Sequence, residues 1–418
     1  MKHIDRLILI IALCLPLGRV QAQEQTLNLD SILARIVRNH PELKGFDRRA
    51  EALRASAGGA KALMAPMAGI GTFMTPYPGQ RVMEESEKGS VMVTVEQTIT
   101  NRSKREANGR YLGARADAET YRRAARWNQL RAEARAACIR WNHASERKRN
   151  LASLEQTGLL MLEVARARVT HNQEQPAAVY KAESRLAEIR NMMDMEQVSM
   201  DEARAQLTAM MGLPAGTVFR IDSTAHTTIP VLATVTDTAS LAAGRSDIRI
   251  IDQEIRLMRL NQELQLQQAR PDYRLRFDHM QPLGRMMPAQ FTAMAMVSIP
   301  IAPWSAPMYK AEAAGMEHQI KAMEHERAAM LLENSGMLER LRLQVNGMKK
   351  QLDRYEQQIL PALEKNAATV RSAWTENRES LPMVLDAIEA LAMSRQEYLN
   401  KKESFYLMIT EYEKLAEQ

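Results

Sequence analysis

The chain has 418 residues, 56 basic and 50 acidic, giving a formal net charge of +6 and a pI near 9.2. Both signs of charge are spread along the whole length, so the concentrated basic stripe that a phosphate backbone needs is missing, and this argues against a nucleic-acid partner. The two cysteines, Cys14 and Cys138, are too few for a disulfide scaffold.

Residues 1–22 read as an export signal. Lys2 and Arg6 supply the positive start, Leu7 to Leu17 is an apolar run too short for a bilayer, and Val20-Gln21-Ala22 offers small residues for cleavage, so the mature chain is expected to begin near Gln23. Cys14 follows Leu13, where a lipid-attachment signal carries a small residue, which argues against lipidation. Cys138 lies in Ala-Ala-Cys-Ile-Arg-Trp and reads as a buried small apolar residue of a helix. No later stretch reaches ~18 uninterrupted apolar residues, so any membrane crossing must be made by strands.

The two halves match each other at an offset of 205: Pro41-Glu42-Leu43 falls on Ser246-Asp247-Ile248, Pro66 on Pro271, and Lys181-Ala182 on Asp386-Ala387. We therefore expect two tandem repeats, 23–212 and 234–418, joined by a linker at 213–233. Each repeat opens with helical spacing. In the first, Asp30 is the expected cap, and Ile32, Leu33, Ile36 and Val37 form one apolar face. A second helix over about 42–63 runs to Pro66, and its counterpart over about 247–269 stops before Pro271.

The period then changes to two. Tyr273, Leu275 and Phe277 alternate with Arg274, Arg276 and Asp278. Phe291, Ala293, Ala295 and Val297 alternate with Thr292, Met294 and Met296. Strands are expected at about 67–77, 89–99, 272–282 and 289–300, the length a tilted membrane strand needs. Each pair is followed by a very long helix, about 104–171 and 308–376, the second interrupted by Pro361. Short turns holding Asn172 and Asn377 lead to return helices at about 177–211 and 382–417, with coiled-coil-like apolar spacing. The fold class is thus mainly α with a strand portion, which alternation alone leaves open between a membrane β-barrel and a soluble sheet with one solvated face.

Four short strands cannot close a barrel, and an open edge in lipid leaves unpaired backbone groups costing several kcal/mol each. If the strands are membrane strands, several chains share one barrel, and three would give twelve strands. Tyr273, Leu275 and Phe277 would then meet lipid, Arg274, Arg276 and Asp278 would face the lumen, and Phe73, Tyr77, Tyr273, Phe277, Phe291 and Trp304 would supply the aromatic girdles. The rival reading is a soluble periplasmic coiled-coil scaffold or adaptor, and the paired ten-residue segments with aromatic ends count against it.

The opening Leu27-Asn28-Leu29-Asp30 with Asn39-His40-Pro41-Glu42-Leu43 resembles the LTLDEAL…NNPEL start of the outer-membrane efflux factor family, that of TolC. Arg245-Ser246-Asp247-Ile248 is similar to the family's RPDL, Met210-Met211-Gly212-Leu213-Pro214 to its LLGLP, and Val297-Ser298-Ile299-Pro300-Ile301 to its LSLPLF strand. Trp374-Thr375-Glu376-Asn377 with Met383-Val384-Leu385-Asp386-Ala387 is similar to YxxG…DVLDA. The resemblance implies a homotrimer with a twelve-stranded outer-membrane barrel continuous with a helical barrel through the periplasm. It implies as partners a periplasmic adaptor and an inner-membrane pump, the RND type first, and a gate at the helical tips near Asn172, Asn377, Arg378 and Asp386. Three copies of Asp386 would form a carboxylate ring. The sequence departs from the family at Asn172 and Asn377, which replace glycine, and at Ala178, which replaces an acid.

Met316, Met323, Met330 and Met337 repeat every seven residues, and Met316-Glu317-His318 recurs as Met323-Glu324-His325. Thioether and imidazole suit Cu(I) or Ag(I), so metal cations stand among the cargo candidates beside drugs, dyes and polypeptides. Seven helical residues rise ~10.5 Å, too far for one ion to bridge, so no metal site is assigned to Met316, His318, Met323 and His325, and the stripe reads as a packing seam. His143 and His171 stand alone. The Arg122, Arg123, Arg126, Arg131, Arg135 run reads as a solvated face. HExxH, GxSxG and phosphate-loop motifs are absent from the sequence, so an enzyme and a resident cofactor are not expected.

Overall fold

The computed structural model describes residues 25–171, 175–222, 244–285, 287–376 and 378–417. The expected signal at 1–22, the turn residues Asn172 and Asn377, and positions 223–233 of the expected linker lie outside the described residues. The chain divides into two compact units.

One unit carries a four-stranded antiparallel sheet in the order β2 (Met67–Phe73), β3 (Ser90–Ile99), β5 (Tyr273–Pro282), β6 (Gln290–Val297). Helices α2 (Pro41–Gly59) and α5 (Ser246–Leu266) lead toward its first and third strands. Pro41 stands at the start of α2, where its missing N–H costs no hydrogen bond. The first part of α3 (Arg102–Thr170) follows β3, and α6 (Ala306–Arg354) follows β6. Ile251 and Ile255 of α5 pack on Ile320 of α6, with Met258 and Met323 closing over them. Leu338 and Leu341 of α6 meet Tyr412 and Leu415 at the end of α8 (Leu381–Ala416).

The arginine-rich run of α3 is a solvated face only in part: Arg122 is exposed, as expected, while Arg123, Arg126, Arg131 and Arg135 are half-buried. Arg126 pairs with Glu42 at 2.7 Å, Arg123 with Asp47 at 2.9 Å, and Arg122 with Glu119 at 2.9 Å and Glu254 at 3.1 Å. These guanidiniums tie α3 to α2 and α5.

In the other unit β1 (Gln25–Leu27) pairs parallel with β4 (Phe219–Ile221), and α1 (Leu29–Asn39) follows. The α1 cap is Asn28, whose Oδ1 accepts from Ser31 N at 2.9 Å, rather than Asp30, which sits in the first turn. Leu29 is buried, and this fixes the helix start one residue earlier than the acid. The rest of this unit is the second part of α3 with α4 (Pro176–Met210), α7 (Leu360–Thr375) and the first part of α8. A π-helical turn, Tyr355–Ile359, precedes α7. Pro361 has no N–H and would crowd the carbonyl four residues back. The wider turn relieves both, so the interruption falls upstream and the helix runs on through the proline.

Arg147 of α3 is buried between two acids, at 2.8 Å from Glu196 of α4 and paired with Glu403 of α8. Next to it, Glu146 sits 3.4 Å from His143 and 3.3 Å from Lys402. The His143 contact foremost, aided by the Lys402 ammonium and opposed by burial, holds the Glu146 carboxyl down at about 2, against an ordinary 4.5. A depressed carboxylate contributes fully above its unfolded value and loses that contribution as pH falls through the folded one. The urea midpoint should therefore drop on acidification from about pH 5 toward about pH 3, and Glu146→Gln should flatten that slope. Cys138 is fully buried, and burial pushes its thiol up to about 12, so it is inert at neutral pH.

Candidate channel wall and helix tip

Register sorts the sheet into two faces. Val95 opposes Phe277, Phe277 opposes Ala293, Leu275 opposes Ala295, and Ile70 opposes Val93. Tyr273, Phe291 and Val297 share this apolar face, and Phe277 stacks on Phe291 with centroids 5.8 Å apart. Tyr273, Leu275, Phe277, Phe291 and Val297 are exposed, so a row of large apolar side chains stands uncovered on one side of the sheet. From the Tyr273 row to the Phe291 row is six residues, about 20 Å at the rise of a strand, close to the ~25 Å apolar band of a membrane barrel.

The opposite face is polar and internally paired. Thr94 Oγ1 donates to Asp278 Oδ1 at 2.7 Å, Arg276 donates to both oxygens of Asp278 at 3.0 Å, and Arg274 lies 3.3 Å from Glu96. Each charge has a partner on its own face, so the ladder keeps its charges in place without help from outside the sheet. Strands β2 and β6 each have one neighbour, which leaves an open edge on either side.

Three expected girdle residues fall elsewhere. Phe73 opposes Ser90, which puts it on the charged face with Thr94 and Glu96. Tyr77 lies in the loop after β2, which ends at Phe73 rather than at 77, and Trp304 lies in the turn before α6, 86% exposed. Strand β2 pairs with β3 straight through Gly69 and Gly71 and stops at Phe73, because Met74 turns to φ 51° and leaves the extended region. At the hairpin tips Gly89 adopts φ 76°, and Leu283 N donates to Gly89 O at 2.9 Å, tying the two hairpins together.

In the helical unit, α3 and α7 end and α4 and α8 begin around one small core: Met161, Ala165, Ala178, Trp374, Leu381 and Val384. Ala178, in the place where the resemblance leads one to expect an acid, is buried in that core. Arg168 lies over the Trp374 ring at 4.3 Å and donates to its carbonyl at 3.2 Å. Asp386 accepts from Lys181 Nζ at 2.7 Å, and Arg185 holds Glu389 at 2.6 Å. Arg378 pairs with Glu376. Lys181 and Arg185 belong to no motif in the sequence. The available signal was the 205-residue offset, which aligns Lys181 with its own partner Asp386.

The methionine stripe of α6 is half-buried, and Met323 packs on the isoleucine core of α5 and α6 while His318 and His325 point outward, exposed. Among the described residues no group of three His, Cys, Asp or Glu is placed to hold a metal, and no helix is long and apolar enough to cross a membrane.

No protein-family model matches the sequence, and no curated protein matches it. Solved structures do. The outer membrane channel CmeC of Campylobacter jejuni superposes with a TM-score of 0.73 at 11% identity, over 93% of this chain and 85% of that one. The outer membrane protein VceC of Vibrio cholerae gives 0.72 at 12%, over 93% and 96%. The open state of the Neisseria gonorrhoeae outer membrane channel MtrE gives 0.72 at 14%, over 93% and 88%. The chain has the fold of these TolC-like outer-membrane channels.

Proposed function

We propose that this chain is one subunit of an outer-membrane channel, the passive exit duct of a tripartite efflux system, exported to the outer membrane of a Gram-negative bacterium and reaching into the periplasm. The observation that carries the reading is the two-faced sheet with an open edge on each side. An apolar face that long is costly in water, and two unpaired edges are costly in lipid, so both are relieved when copies of the chain join edge to edge into a barrel. Three copies give twelve strands, with Arg274, Arg276 and Asp278 lining the lumen and Tyr273, Phe277 and Phe291 meeting lipid. An adaptor and an inner-membrane pump of the RND type complete the system.

The helix ends near Arg378 and Asp386 form the gate in this reading. Each Asp386 carries a Lys181 partner, so a ring of three is charge-balanced while the pairs hold. Cation preference would appear as they open. Both side chains are partly exposed, so each pair contributes only about 0–1 kcal/mol and is easily broken by a docking partner.

The test is native mass in detergent from an outer-membrane fraction, followed by planar-bilayer conductance. A trimer with low resting conductance is expected, and a soluble monomer would sink the reading. Asp386→Ala should raise the resting open probability several-fold, with little change in thermal stability. An unchanged open probability would remove Asp386 from the gate.

A further inference from the structure

The strands contain five methionines: Met67 in β2, Met92 in β3, Met280 in β5, and Met294 and Met296 in β6. All five lie on the charged face. Met92 opposes Met280, Met294 opposes Arg276, Met296 opposes Arg274, and Met67 opposes Glu96. The apolar face is built mainly from valine, isoleucine, leucine, alanine and aromatic residues, with Thr72, Gln97, His279 and Gln281 among them, and holds no methionine. Were methionine serving here as a generic apolar filler, it would collect on the face that shuns water. It is sorted the other way, among arginine, aspartate, glutamate and threonine.

Met92 and Met280 are direct cross-strand partners, a geometry that brings Cβ atoms to about 4.5–5.5 Å. Their row continues to Gly71, which has no side chain, on one side and to Gln290 on the other. The next row along the strands holds Thr94, Asp278 and Thr292. Two flexible thioethers thus sit side by side, next to a carboxylate that is already hydrogen-bonded, with no bulky neighbour on the glycine side. Thioether sulfur prefers soft monovalent cations and binds hard ones such as Mg²⁺ or Ca²⁺ poorly.

We infer that the Met92–Met280 pair is a binding site for a soft monovalent cation, Cu(I) or Ag(I), on the water-facing side of the strand wall, and that such ions are cargo of this channel. The inference deepens the channel reading and rests on it for the word cargo, while the binding site itself stands on the register. Met294 and Met296 near the helix-side end of β6, and Met92 and Met280 near the hairpin tips, place thioethers at both ends of the charged ladder.

The test titrates Ag(I) alone into the full chain purified in detergent and compares M92L/M280L with M316L/M323L on the α6 seam. Loss of even a supporting partner costs about 10–100-fold at metal sites, so M92L/M280L should bind Ag(I) at least about ten-fold more weakly, while M316L/M323L should match the parent. Single-channel conductance of potassium chloride should be equal in the parent and M316L/M323L. Equal Ag(I) affinity in all three chains overturns the site. Absent conductance in all three with Ag(I) binding still specific to Met92 and Met280 overturns the channel reading and the cargo assignment, and leaves the site standing. Should M92L/M280L fail to fold, methyl-labelled methionine NMR of the unsubstituted chain decides. Ag(I) must shift the Met92 and Met280 methyl signals first, and simultaneous shifts of exposed methionines elsewhere overturn the assignment.

Discussion

Leu275→Arg is expected to abolish assembly into the outer membrane, whereas Thr292→Arg is expected to assemble as the parent does. Leu275 lies on the inner strand β5, between Tyr273 and Phe277 on the apolar face and opposite Gln97 and Ala295. In a barrel that position is near mid-depth, where an arginine costs about 2–4 kcal/mol, and a trimer incurs that cost three times. Thr292 stands on the other face, opposite Asp278, so an arginine there meets water and a carboxylate. The measurement is outer-membrane fractionation with heat-dependent gel mobility of the trimer. A soluble sheet with one solvated face would also disfavour arginine at Leu275, but then neither the parent nor Thr292→Arg would appear as a trimer in the outer-membrane fraction. If the two variants assemble equally, or Thr292→Arg is the worse, the wall has been turned inside out.

The faces of β5 are readable from Tyr273, Leu275 and Phe277 because alternation is a local property of the chain. The face of Phe73 is not, because it depends on which residue of β3 it opposes, and the glycines at 69 and 71 blur the local period. The same limit hides the partners of charges. Thr94 and Asp278 are 184 residues apart and share a hydrogen bond that no local pattern announces. The arginines of α3 look solvated on a helical wheel, and only packing against α2 and α5 brings Glu42, Asp47 and Glu254 to them. Asn28 and Asp30 are both good caps two residues apart, and the burial of Leu29 decides between them. The methionine seam of α6 shows its heptad spacing in the sequence, but the isoleucines it covers belong to α5.

Arg147→Met should be the most destabilising single change in the helical unit, by about 3–5 kcal/mol, the range for breaking a buried ion pair from one side. Among the described residues Arg147 is the one cation paired with both Glu196 and Glu403, whose side chains are 11% and 19% exposed. Gln396 also donates to Glu196 Oε1 at 3.1 Å, but Glu196 Oε2 is buried with no hydrogen-bond partner, so the carboxylate relies on the guanidinium for its charge. Methionine preserves most of the stem volume and removes the charge, leaving two acids facing each other in a site that water barely reaches. Adding Glu196→Gln to Arg147→Met should recover a large part of the loss, because a neutral amide needs no cation. Glu196→Gln alone should cost less than Arg147→Met, since Glu403 still neutralises the arginine. Chemical denaturation of the three variants in detergent reads the order directly. If Arg147→Met costs less than about 1 kcal/mol, the knot between α3, α4 and α8 is wet. Those helices would then need another tether besides the Lys181–Asp386 pair.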